Sequence, residues 1–268
     1  MTNETPVRDG DINEYVNANA ASTRWFAGDR SVVFVNGMLN SPNDHVESAV
    51  ALSMLQMCKV VGVYNRSQVS DVRRMSTPRA IVEDLYQCIG DKLTWDSHGV
   101  DHMAASMNTW YQSNFGSTGE AVSAVEIWLA RNPAALSLFR HLLANIGRRQ
   151  TIFAHSQGNL ITSNALTALH LLDDRHLGNI TVNSYASPAV FWPSGFAHNR
   201  YAYTVDLVPL VAGFGNSLDL RTSTIGGPMG VLSHGFDNYR RDDPTFVVNR
   251  FRVGMLRMTA HMDEAGLA

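Results

Sequence analysis

One serine in this chain sits where a hydroxyl can be turned into a nucleophile. Residues 150 to 161 read Gln-Thr-Ile-Phe-Ala-His-Ser-Gln-Gly-Asn-Leu-Ile. Thr151 to Ala154 is β-branched and aromatic, as a short buried strand is, and a helical spacing begins at Gln157 with Leu160, Ile161, Asn164, Ala165, Ala168, Leu169 and Leu172. Ala154 and Gly158 flank Ser156 two positions to either side, where a strand and a helix joined this tightly pass too close for larger side chains. Such a turn lifts the serine hydroxyl out of the sheet. It also aims the first N–H groups of the helix at negative charge developing on a substrate oxygen.

A serine hydroxyl is a weak nucleophile at neutral pH. It needs a base within hydrogen-bond reach, and the base needs a carboxylate to hold its tautomer and steady the imidazolium. Ten histidines compete for the role. His155 adjoins the serine but is expected to point away and brace the turn. His170 and His176 fall at or beyond the far end of the helix, His198 precedes the strand that leads to Asp206, and His261 falls in a helical C-terminal stretch. His234 lies in a glycine-flanked loop, Val231-Leu232-Ser233-His234-Gly235-Phe236, and is the expected base. Asp206 is the expected carboxylate: Arg200 to Val205 reads as a strand, and Val208-Pro209 stops it and leaves the acid at the sheet's catalytic lip.

The elements that must position these residues read as an α/β alternation. Ser31–Gly37 and Cys58–Asn65 read as largely apolar runs, as strands buried on both faces are, with a helix between them from about Asp44. Helices are expected at 77–90, at 119–131, and again from Pro133 with Asn132 as its N-cap. A further strand covers 179–185, a Gly-rich loop runs from 212 to 230, and the tail from Pro244 to about Glu264 is helical. Residues 1–28 read as an N-terminal arm, 29–268 as a single α/β domain, and 91–119 as a possible cover or pocket-lining insertion. His98, Asp101 and His102 have no second cluster beside them, so no metal site is expected.

The segment Ala154-His155-Ser156-Gln157-Gly158 resembles the nucleophile elbow G-x-S-x-G of the α/β-hydrolase superfamily, with alanine for the first glycine. Asp206-Leu207-Val208-Pro209 resembles the acid motif of class 3 lipases and related bacterial hydrolases. The chain order Ser156, Asp206, His234 is that of the superfamily. The resemblance covers about residues 31 to 240. It implies an α/β-hydrolase fold, a mostly parallel central sheet with helices on both faces. It also implies hydrolysis of carboxylic esters through an acyl-enzyme, most readily a lipase or phospholipase, with no metal or organic cofactor, and it places the oxyanion donors at the backbone N–H of Gln157 and at that of Gly37 or Met38 after the early strand. A non-lipid carboxylesterase or thioesterase is the neighbouring alternative, and a non-catalytic hydrolase-like binding protein the alternative of another class.

Composition agrees with a globular protein. The 45% hydrophobic and 17% charged content can fill a sizeable core, and a formal charge of −3 with no basic block gives nothing for nucleic acid to bind. No apolar run approaches the roughly 18 residues of a membrane span, which leaves only transient contact with a membrane surface. Cys58 and Cys88 are the only cysteines and read as reduced thiols in apolar surroundings. The polar first ten residues lack a signal core, so the expectation is a protein cytoplasmic as made, with export, if any, by a signal-peptide-independent route.

Overall fold

The computed structural model describes residues 3–38, 40–66, 118–172, 174–189, 192–203, 222–225 and 235–242. They build a seven-stranded sheet in the order β1-β3-β2-β4-β5-β6-β7. The strands are β1 (Ile12–Tyr15), β2 (Ala27–Val35), β3 (Cys58–Val63), β4 (Gln150–His155), β5 (Ile180–Tyr185), β6 (Ala197–Tyr203) and β7 (Thr222–Ile225). Every pairing is parallel except that of the edge strand β1 with β3.

Both faces of the sheet are covered, which is why its central strands β2, β3 and β4 read as largely apolar runs. On one face Val33, Val35, Val61, Val63, Ile152 and Val182 pack under α3 (Thr118–Leu129), α4 (Pro133–Ala144) and α5 (Gly158–Leu172). The alternate positions Val32, Phe34, Val60, Phe153 and Tyr185 face the other way. They pack with Ala49, Leu52 and Leu55 of α2 (Pro42–Gln56) and with Phe236 and Tyr239 of α6 (Phe236–Asp242). The odd–even split of adjacent valines and phenylalanines between two cores is the strand period of two made visible. The chain is thus mixed α/β, with a mostly parallel sheet and helices on both of its faces.

Local signals explain several ends. Asn132 caps α4 by accepting from the Ala135 N–H at 2.9 Å, with Pro133 as first helical residue, as expected from the sequence. Helix α2 starts two residues earlier than expected. Ser41 is its N-cap, and a reciprocal capping box joins the Ser41 side chain to the Asp44 N–H (3.2 Å) and the Asp44 carboxylate to the Ser41 N–H (2.8 Å). The helix ends on Met57 in the left-handed region at φ 51°, and Met57 hands the chain straight to β3.

Three expectations need correction. The N-terminal arm is partly sheet: Ile12–Tyr15 pairs with Val60–Val63, and the short helix α1 (Ala18–Ala21) follows. Within the stretch read as a Gly-rich loop, Thr222–Ile225 forms an edge strand on β6. Phe236, read as the end of the loop around His234, opens a helix that runs to Asp242. The helix expected over 77–90, the insertion 91–119 up to residue 117, Cys88, the cluster His98, Asp101 and His102, and the C-terminal helix lie outside the described residues.

Candidate functional site

Strand β2 lies between β3 and β4; the chain leaves β2 toward β3 and leaves its other neighbour, β4, the opposite way toward β5. At such a switch point the loops following the two central strands part, and a crevice opens at their C-terminal ends. The register places Val35 beside Ala154, so Asn36-Gly37 and His155-Ser156 emerge next to each other.

Ser156 occupies the turn between β4 and α5 with φ of +52°, the left-handed region that a residue with a Cβ rarely adopts. A strained conformation of this kind costs about 1–3 kcal/mol and persists only where its surroundings over-determine it. Here they do. The Ser156 N–H donates to the Tyr185 carbonyl at 2.9 Å, which extends the β4–β5 ladder one residue past the strand. The Asn159 side chain donates to the carbonyls of both Ser156 and Tyr185, each at 3.0 Å. Stacking of Tyr185 on Tyr201, with centroids 5.0 Å apart and planes 13° from parallel, stiffens the neighbouring strand ends.

Close packing enforces the small residues. A Cβ added to Gly158 would lie 2.5 Å from the Val35 carbonyl oxygen and 2.8 Å from that of Asn36. One added to Gly37 would lie 2.6 Å from Ser156 Cβ and 3.0 Å from the His155 carbonyl oxygen. The loop after β2 therefore rests directly against the serine, and only glycine lets it do so. Ala154 is fully buried between β2 and β5.

His155 is buried, with its ring 5.6 Å from that of Phe236 and 6.0 Å from that of Tyr239, so it ties α6 to the turn. His198, expected to precede its strand, lies within β6 and meets the Ser184 hydroxyl through Nε2 at 2.7 Å. His170 is in the last turn of α5. Of the three residues proposed for the chemistry, Ser156 is described, while Asp206 and His234 lie outside the described residues. Of the oxyanion candidates, Gly37, Met38 and Gln157 are all described, and Gly37 and Gln157 flank Ser156 in space and in sequence respectively. No group of three or more His, Cys, Asp or Glu side chains able to hold a metal occurs among the described residues.

The structure also displays a buried polar cluster beside the serine that sequence reasoning missed. Asn36, His45, Asn65 and Gln157 are each at most 1% exposed. The Asn36 amide oxygen accepts from the Asn65 N–H at 2.8 Å and meets His45 Nδ1 at 2.9 Å, and its nitrogen donates to the Asn65 carbonyl at 2.8 Å. The Asn65 side chain in turn donates to Gln157 Oε1 at 2.9 Å. Burial lowers the His45 pKa to about 3, so its ring is neutral at ordinary pH. Asn-Gly after an apolar strand, and a second Asn after the next, were the only traces of the cluster in the sequence.

Comparison with protein-family models, curated proteins and solved structures finds no match to this chain. The functional reading rests on the residues and their geometry.

Proposed function

We propose that the chain is a serine hydrolase of carboxylic esters with an α/β-hydrolase fold, acting through an acyl-enzyme on Ser156. The observation that carries this reading is the backbone of Ser156: left-handed at +52°, at the switch point of a parallel sheet, with the Gly37 loop against its Cβ. A non-glycine residue held there, in a strand–turn–helix that needs small neighbours, is the arrangement that presents a nucleophile.

In this mechanism Ser156 Oγ attacks the ester carbonyl and gives its proton to His234, while Asp206 holds the imidazole. The backbone N–H groups of Gln157 and of Gly37 or Met38 hold the oxyanion. The imidazolium then protonates the leaving alcohol, and water activated by the same histidine releases the acid. Two features support the partners. Strand β6, which leads toward Asp206, lies two strands from β4 in the sheet. Phe236, two residues after His234, is buried against the His155 and Tyr185 rings beside the elbow.

The narrower assignment, lipase or phospholipase, rests on the resemblance of the Ala154–Gly158 and Asp206–Pro209 motifs to bacterial lipases. Ser156 is 1% exposed, so a substrate must displace whatever shields the hydroxyl. The test is the hydrolysis rate on nitrophenyl esters of rising acyl length and on phospholipid vesicles, with Ser156→Ala as control. Long-chain and vesicle activity that vanishes in Ser156→Ala supports the lipase. Turnover confined to esters of a few carbons makes it a soluble esterase. Equal rates for wild type and Ser156→Ala, or none for either, remove the hydrolase reading, and specific binding of an ester without turnover favours a non-catalytic module.

A further inference from the structure

We propose that Asn65 and Asn36 are positioning residues whose buried hydrogen-bonded unit orients both oxyanion donors at once, a role that rests on the hydrolase reading of Ser156. The two candidate donors come from segments far apart in the chain, the loop after β2 and the first residue of the α5 turn. Something must hold them in one frame, because a donor displaced by a fraction of an ångström loses much of its effect on the transition state.

The geometry supplies that frame. Asn65 anchors Gln157 by its side chain (2.9 Å), and the Gln157 N–H leaves the same residue. On the other side, Asn36 Nδ2 donates to the Gly37 carbonyl at 3.0 Å, and Asn40 Nδ2 donates to the same carbonyl at 3.1 Å and to that of Met38 at 3.0 Å. A trans peptide is planar, so clamping the Gly37 carbonyl from two amides points the Met38 N–H the opposite way. The clamp and the anchor are joined, because Asn36 and Asn65 bond each other twice, at 2.8 Å each.

The orientation of the Asn36 amide is fixed by its partners. Its oxygen must face the Asn65 N–H and its nitrogen the Asn65 carbonyl. That same oxygen can only accept, so His45 Nδ1 carries the proton and donates to it. His45, on α2, thereby stops the Asn36 side chain from turning. Four neutral polar side chains buried together would be costly if they stayed unpaired, and they are paired with one another at the point where the two segments meet.

The test uses the full chain and counts sites by fluorophosphonate titration, so that kcat is expressed per reactive serine. Asn65→Leu, close to isosteric but unable to donate, is expected to lower kcat about 10- to 100-fold with KM within about twofold. Affinity for an alkylboronic acid, which forms a tetrahedral adduct, falls in parallel. Gln157→Leu keeps the backbone N–H and removes the anchor point, so it reproduces the loss. The double variant is no worse than either single one, because both break the same bond. If Asn65→Leu does not fold, Gln157→Leu decides alone. A kcat per titrated serine and a boronate affinity that both stay at the wild-type value would overturn the positioning role and leave the hydrolase reading standing. A wild-type protein that neither hydrolyses esters nor titrates overturns the hydrolase reading itself.

Discussion

The two ends of the central strands are built on opposite plans. At their C-terminal ends, beside Ser156, the amides of Asn36, Asn65 and Gln157 are neutral, buried and hydrogen-bonded in one chain. At their N-terminal ends, Asp29, Arg30 and Ser31 of β2 and Arg148 and Arg149 before β4 are exposed around an open cleft of about 310 Å³ that His141 and Asn145 also line. Charged side chains gather where water can solvate them. Amides gather where a backbone has to be held still in a dry place. The difference separates an edge that precision shapes from one that solubility shapes.

If that contrast is right, the largest effects come from intruding on the dry edge. Gly158→Ala sets a methyl 2.5 Å from the Val35 carbonyl oxygen, a rigid backbone atom, and Gly37→Ala sets one 2.6 Å from Ser156 Cβ. Each is expected to cost about 1–3 kcal/mol of stability, read from urea midpoints. Gly37→Ala is also expected to cut turnover at least about 100-fold, because the intruding atom pushes the oxyanion loop off the serine.

The next effect is in acid. Folded His45 titrates at about 3 and an unfolded histidine near 6.5. Between those values the unfolded chain binds a proton that the native protein refuses. Stability from this group is therefore unaffected above about pH 6.5 and falls as pH drops toward 3, by up to about 1.4 kcal/mol per pH unit. His45→Gln, which keeps an amide donor for Asn36, is expected to flatten the fall in unfolding free energy between pH 6 and 4. An unchanged slope would mean that His45 is not held neutral by burial. The smallest effects are at the wet edge, where Arg148→Ala and Arg149→Ala are each expected to change stability by no more than about 0.5 kcal/mol. A loss of several kcal/mol there would erase the contrast.

Much of this was legible in the chain because it is local. The strand–turn–helix around Ser156 announces itself through the small residues Ala154 and Gly158, α4 through Asn132-Pro133, and the buried strands through runs of valine, isoleucine and phenylalanine. Strand β1 was hidden because Asn13 and Glu14 are poor strand formers; it is held by pairing with Val61 and Gly62 of β3 rather than by its own preference. Strand β7 was hidden because it is only four residues long and runs straight into Gly226-Gly227-Pro228, so its threonines and isoleucine read with the loop. The start of α2 was masked because Ser41-Pro42 reads equally as a loop until the Asp44 carboxylate closes the capping box. The Asn36–Asn65–Gln157 cluster was invisible for a different reason. Its members lie 29 and 92 residues apart, and nothing in their types marks them until the sheet order brings them together.

The central claim is that the Ser156 hydroxyl is an activated nucleophile. Its most direct test is to treat the folded protein with a fluorophosphonate, digest it and map the adduct. The account predicts a single stoichiometric phosphonyl ester on Ser156, formed at a rate that falls as pH drops through the titration of its base, and absent from Ser156→Ala. An adduct on another serine, or none on a protein shown to be folded, would contradict it.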